Sequence, residues 1–347
     1  MQLLRSMLRS WRKHPLRVLV VDDQRSWRGM HLQIAAWHLA REIASRTSVP
    51  HIAALLPTSG IFPAVTAAAW TLGRTIVPLN FLLSREELAY ILKDCGADTV
   101  VTVGPLLDMI GGDLPSGVSP LLLEECSFGG VPPVRRVAQC DEDHLAAILY
   151  TSGTSGKPKG VMLTGANLAA NVDQCRQWAG FSRSDSFLGL LPQFHSFGFT
   201  VTTLLPAAIG APAFYSARFN PRRTLALLRT HRPTAMLAIP SMYNALLASK
   251  DAKADDFGSL KYIVSGGEAL PDPVYLGFKE RFGVTICEGY GLTETAPVTN
   301  WCRPHEERRG SVGMPVTGVE ERIVDGEVRI KGPNVMGGYY QLPEETA

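Results

Sequence analysis

The pattern of apolar and polar positions alternates between helix-period and strand-period stretches. Residues 60–72 are alanine-rich and nearly free of polar side chains, with Gly73 next, which predicts a buried helix with a glycine stop. The stretch 75–77 then predicts a short strand ended by Pro78. Ser84, with Glu87 three residues on, forms a capping box, so a helix is expected to run to Cys95 and stop at Gly96, and 98–103 alternates as a β-branched strand. Strand and helix in alternation predict a parallel sheet. The glycine- and proline-rich stretch 104–133 reads as loop. Runs 145–149 and 160–163 read as buried strands separated by a Ser/Thr/Gly loop, and 165–178 carries helix signals. Strands at 261–265 and 284–287 flank a helix beginning near Pro271, and both end in glycine-rich loops. Ligands of open α/β sheets lie beyond the carboxyl ends of the strands, so those two loops are where one is expected. After Gly310 the pattern changes to short strands at 320–324 and 327–331 with turns between them.

Composition narrows the function classes. A chain of 347 residues exceeds the size at which one hydrophobic core stops growing, so more than one subdomain is expected. With 46% hydrophobic and 19% charged residues it reads as globular, and a net charge of +2 without an aromatic-interleaved basic patch gives no reason to expect nucleic acid. Six scattered cysteines with no C-x-x-C pair read as reduced and structural. Residues 1–17 set Arg5, Arg9, Arg12, Lys13 and Arg17 among leucines and Trp11; this amphipathic start reads as a solvated first helix or, alternatively, a weak membrane-surface contact. The uncharged stretch 197–215 approaches membrane-span length, but Pro206, Gly210 and Pro212 interrupt it, and a buried helix followed by a strand accounts for it. A soluble, cytoplasmic protein is expected, with a peripheral position at the inner membrane surface as the alternative.

The segment richest in chemistry is Tyr150-Thr-Ser-Gly-Thr-Ser-Gly-Lys-Pro-Lys-Gly-Val161. Its four hydroxyls (Thr151, Ser152, Thr154, Ser155), three glycines (Gly153, Gly156, Gly160) and two lysines (Lys157, Lys159) lie between two apolar strands. Glycines let backbone N–H groups approach phosphate oxygens, hydroxyls donate to them, and lysines offset their charge. It departs from a Walker A loop, because only two residues separate Gly153 from Gly156-Lys157, Pro158 stands where a magnesium-holding hydroxyl would, and a strand follows. The bland reading is a polar linker, which the flanking strands and close lysines disfavour.

This segment resembles the first signature of the adenylate-forming superfamily, which includes acyl-CoA synthetases, luciferases and peptide-synthetase adenylation domains. Phe194-His-Ser-Phe-Gly198 resembles its substrate-side histidine motif, Ser265-Gly-Gly-Glu268 its adenine-side loop, and Glu288-Gly-Tyr-Gly-Leu-Thr-Glu294 its second signature, all in the family's order. The segment 326–339 resembles the strand that opens a small barrel in such enzymes, and the resemblance runs from about residue 50. It implies an α/β fold of layered parallel-sheet subdomains with helices on both faces plus the start of a small β-barrel. The expected division is 1–180 with the phosphate loop, 181–308 with the adenine and magnesium loops, and an incomplete β subdomain at 309–347.

The resemblance also implies roles. Residues 151–157 and Lys159 would hold phosphate, while Gly266, Gly267 and Glu268 line the base and Tyr290 stacks on it within Glu288, Gly289 and Gly291. Thr293 would contact the α-phosphate, and Glu294 would hold Mg²⁺, for which the bland reading is a solvated carboxylate. His195 would stand beside the substrate carboxylate and the α-phosphate, although a histidine between Phe194 and Phe197 reads on its own as packing. Lys157, His195, Thr293 and Glu294 are the implied catalytic set. The implied ligands are ATP, Mg²⁺, a carboxylic acid and a thiol of CoA or of acyl carrier protein phosphopantetheine. A medium- or long-chain fatty acid is the expected acid, with an aryl or other small acid as the alternative. The family pattern continues into a Thr-Gly-Asp segment and a mobile lysine-bearing domain, so this polypeptide is expected to bind ATP weakly and turn over slowly, or to be a non-catalytic nucleotide- or acyl-binding module.

Overall fold

The computed structural model describes residues 1–151 and 157–346. Two sheets organise it. The first has six strands in the order Ser119–Leu122, Thr99–Thr102, His51–Leu55, Thr75–Pro78, Leu145–Thr151 and Lys159–Thr164, all parallel except the last pair. The second has nine, running from Met314–Pro315 through Val298–Trp301, Cys287–Gly291, Tyr262–Ser265, Ala235–Ala238, Phe187–Gly189 and Ala213–Tyr215 to Val18–Val21 and Ser26–Arg28. Its middle is parallel and its outer pairs antiparallel. His51–Leu55, Thr75–Pro78 and Ala235–Ala238 are buried at every position, as expected of parallel strands covered on both faces.

Several elements follow from local signals. The helix Ile61–Thr71 is apolar nearly throughout and is followed by Gly73 at φ 69°; Arg85–Cys95 starts at the reciprocal Ser84/Glu87 cap and ends at Gly96 in the left-handed region. The uncharged stretch folds as Ser196–Phe199, a π-helical turn Thr200–Leu204 and Leu205–Ile209, after which Gly210 turns the chain into the strand Ala213–Tyr215. No helix among the described residues is long and apolar enough to cross a membrane.

Other expectations are corrected. The amphipathic start forms the helix Gln2–Lys13, solvated only on its basic face: Arg5, Arg9, Arg12 and Lys13 are exposed, while Leu4, Met7 and Trp11 are fully buried, packed with the core. At roughly 1.5–3 kcal/mol per fully buried large apolar side chain, before ordering entropy, that face is committed to the interior and unavailable to a membrane. The stretch 104–133 contains the helix Gly104–Met109 and the strand Ser119–Leu122 as well as loop. The strand expected at 284–287 is displaced to Cys287–Gly291, so the second signature is itself strand. Val18–Val21 and Ser26–Arg28 pair into the nine-stranded sheet, so a boundary at residue 180 does not separate the two sheets. Past residue 309, Met314–Pro315 joins that same sheet, and Glu320–Val324 pairs only with Glu327–Lys331; the described residues form no closed barrel.

Candidate active site

A cavity of about 430 Å³ opens at the carboxyl ends of Ala235–Ala238, Tyr262–Ser265 and Cys287–Gly291, where an open α/β sheet places its ligand. One wall is the strand Cys287–Gly291, in which Gly289 lies opposite Trp301 and Tyr290 opposite Asn300. Its register shifts between Tyr290 and Gly291, where a Cβ on Gly291 would overlap the Pro297 carbonyl, so only glycine fits. The 3₁₀ turn Thr293–Thr295 follows and brings Thr293 and Glu294 to the cavity. Two buried amides hold the returning chain. Asn171 donates from Nδ2 to the Val298 carbonyl (2.7 Å) and accepts from its N–H (3.1 Å), while Asn334 Nδ2 donates to the Thr295 carbonyl (2.8 Å).

The opposite wall begins at Phe194-His-Ser-Phe-Gly198. His195 caps the helix Ser196–Phe199, its Nδ1 accepting from the Phe197 N–H at 3.4 Å. Ser196 Oγ and Thr293 Oγ1 share a hydrogen bond of 3.1 Å, which ties the histidine motif to the second signature. Gly266 leaves room for Phe197, whose Cε1 lies 3.1 Å from where a Cβ would stand. His195 keeps solvent access at the cavity, and the protein atoms around it lower its pKa by desolvation, which favours the neutral imidazole.

At the polar end, Glu294 Oε1 accepts from the Tyr339 hydroxyl at 2.7 Å. Burial, then that carboxylate, pushes the Tyr339 hydroxyl up to about 12, so it stays a donor at neutral pH. The Lys159 ammonium lies 5.3 Å from the Tyr339 ring centroid and is paired with the Glu345 carboxylate. Glu294 is the one carboxylate on the cavity among the described residues, and no cluster of three potential metal ligands occurs there. One carboxylate suits a hard divalent cation that keeps its waters and takes phosphate oxygens as its other ligands.

The cavity therefore gathers Thr151, Lys159, His195, Gly266, Gly267, Gly289, Tyr290, Gly291, Thr293 and Glu294. Three expected site residues stand elsewhere. Lys157 is exposed, its ammonium 5.8 Å from the Tyr90 ring; Glu268 is exposed beyond the lining; and Glu288 is held by Arg309, which also binds Asp272 at 2.7 Å. Ser152, Gly153, Thr154, Ser155 and Gly156 lie outside the described residues. Sequence reasoning missed Ser196, Asn171, Asn334 and Tyr339. Ser196, Asn334 and Tyr339 sit inside segments it singled out, whereas Asn171 gives no signal until its backbone partner is seen.

The model of the AMP-binding enzyme family matches residues 8–340, and the chain belongs to that family. It is 35% identical over 331 residues to a long-chain-fatty-acid–CoA ligase of Bacillus subtilis, covering 79% of this chain and 59% of that protein. It is 30% identical over 300 residues to a feruloyl-CoA synthase of an Amycolatopsis species, covering 79% and 58%. Among solved structures, a benzoate CoA ligase from Burkholderia xenovorans LB400 superposes with a TM-score of 0.90 at 25% identity, covering 99% of this chain and 74% of that one. The chain thus spans about 59% of the length of the first of these relatives. The match begins at residue 8 rather than near 50, in keeping with the packing of the first helix and the pairing of Val18–Val21 into the large sheet.

Proposed function

We propose that these residues form the nucleotide- and acid-binding body of an enzyme that uses ATP to activate a carboxylic acid, probed best as a medium- or long-chain fatty acid, for transfer to the thiol of CoA or acyl carrier protein. The observation that carries this reading is the single cavity that holds His195, the Ser196–Thr293 hydroxyl pair, Tyr290, Glu294 and Lys159 together. A carboxylate is a poor electrophile. In the proposed reaction its oxygen attacks the α-phosphorus, a new P–O bond forms, the bond to the bridging oxygen breaks, and pyrophosphate leaves with that electron pair. The thiol sulfur then attacks the acyl carbon, AMP departs, and the thiol proton passes to solvent.

The first step brings two anions together, so positioning and fixed dipoles lower its cost. Tyr290 offers its ring to the base above Gly266 and Gly267. Thr293, oriented by Ser196, offers a hydroxyl to the α-phosphate, and neutral His195 can donate one hydrogen bond at the reacting oxygens without adding charge. Glu294, oriented by Tyr339, would hold Mg²⁺, which supplies charge neutralisation of the leaving pyrophosphate. The fatty-acid choice draws support from the apolar surfaces of Phe197, Leu237 and Val264 and from the name of the Bacillus subtilis relative; the feruloyl and benzoate enzymes keep an aryl acid as the second reading. Cytoplasmic location is part of the same proposal.

Calorimetric titration tests it. An acyl-sulfamoyl-adenosine, a non-hydrolysable stand-in for the acyl-adenylate, is expected to bind far more tightly than ATP with Mg²⁺. Equal affinity for the analogue and for AMP would overturn the adenylate reading.

A further inference from the structure

The strand Leu145–Thr151 delivers the chain to the segment 152–158, and its last two residues have different neighbours. Thr151 lines the cavity, whereas Tyr150 stands outside that lining and donates from its hydroxyl to Asp94 Oδ2 at 2.5 Å. The bond has the length of a charge-assisted one. Burial, and then that carboxylate, holds the phenol well above its ordinary pKa, so it stays a donor at neutral pH. Its reach depends on Gly160 across the strand pair, because a Cβ there would stand 3.1 Å from Tyr150 Cζ, the carbon that carries the hydroxyl.

Asp94 is itself well anchored. It lies in the last turn of the helix Arg85–Cys95, whose Leu88, Ile91, Leu92 and Cys95 are buried, and its main-chain carbonyl accepts from Gln341 Nε2 at 3.1 Å. One turn earlier on the same helix face, the Tyr90 ring meets the Lys157 ammonium at 5.8 Å, so residues at both ends of the segment meet that face. A phenylalanine at position 150 would bury the same ring without needing an acceptor. What the hydroxyl adds is direction: it fixes how far the strand end stands from the helix.

We propose that Asp94 is a positioning residue for the phosphates of the nucleotide: through the Tyr150 hydroxyl it holds the strand end at which Thr151 meets the cavity and from which the segment 152–158 departs. This rests on the adenylate-forming reading of that cavity. Asp94 is not on the lining, so its removal takes away no ligand contact and only loosens the groups that offer one.

The experiment measures binding of ATP with Mg²⁺, and of AMP, to the wild-type protein and to Asp94→Ala, Asp94→Asn and Tyr150→Phe. Asp94→Ala and Tyr150→Phe should each weaken ATP about tenfold, the lower end of what a hydrogen bond to a charged group is worth, and leave AMP within about twofold. A role in folding alone would move both nucleotides together. Asp94→Asn keeps an acceptor oxygen and should recover most of the loss, and the double variant Asp94→Ala/Tyr150→Phe should lose no more than either single one, because the two share one interaction. Unchanged ATP affinity in the folded variants, or equal losses for ATP and AMP, overturns the role of Asp94. Wild-type protein that binds neither nucleotide would instead overturn the adenylate reading, so the two failures are distinct.

Discussion

The glycine-rich segment 152–158 connects two antiparallel strands, Leu145–Thr151 and Lys159–Thr164, the second of which holds Gly160 opposite Tyr150, whereas the segment from Glu288 to Gly291 is strand throughout. The glycines answer to different neighbours. A Cβ on Gly160 would press on side chains, Ile148 Cγ2 at 2.8 Å and Tyr150 Cζ at 3.1 Å, while one on Gly291 would run into the Pro297 main chain. Gly289 and Gly291 leave bare strand surface where a cavity is needed, and the bulge between Tyr290 and Gly291 aims Thr293 and Glu294 into it. One type of residue thus serves two purposes, and only the neighbours reveal which.

The sharpest break of this comparison is Gly291→Ala beside Gly160→Ala. The first is expected to cost about 3 kcal/mol, near the top of the usual range for single substitutions, because a backbone carbonyl cannot rotate away; the second should cost about 1–2 kcal/mol, since side chains can adjust. Urea denaturation measures both, and equal losses would dissolve the distinction.

A smaller effect separates Lys157 from Lys159. Lys159→Ala should weaken ATP binding about ten- to a hundredfold, the worth of a charge-assisted hydrogen bond, whereas Lys157→Ala should change it less than about threefold. Calorimetry with both variants decides this; a larger loss from Lys157→Ala would move the phosphate contact out of the cavity described above.

The smallest effect concerns His195 on the facing wall. Its pKa is lowered in the folded protein by desolvation, so the unfolded chain binds more protons as pH falls below 6.5. That contribution to stability is present above pH 6.5 and is lost as pH drops toward the folded pKa. An NMR titration should place the ring's midpoint below 6.5, and His195→Gln should flatten the local pH dependence of unfolding by well under 1 kcal/mol per pH unit.

Much of the fold was legible where its contacts are local. The Ser84/Glu87 cap, Gly73, the strand Glu327–Lys331 and the position of His195 before an apolar helix all follow from spacing within a few residues. What stayed hidden depends on partners far along the chain. Nothing in the sequence around Asn171 says that its amide grips Val298, 127 residues away, or that Val20 pairs with Ala213. The second signature was read as loop because its glycines weaken a strand pattern; pairing with Val298–Trp301 overrides that propensity. Glu288 was assigned to the site by motif, yet Arg309, 21 residues on, holds its carboxylate.

Lys159 meets Glu345 on the short helical turn Pro343–Thr346, so the cationic corner of the cavity is already occupied by a carboxylate of the same chain. On the proposed function, an incoming phosphate would exchange one anion for another at Lys159, and a polyphosphate presenting several oxygens would gain more from that exchange than a singly charged anion. By linkage, whatever displaces Glu345 also shifts where that turn rests, and whatever draws the turn away makes Lys159 more available.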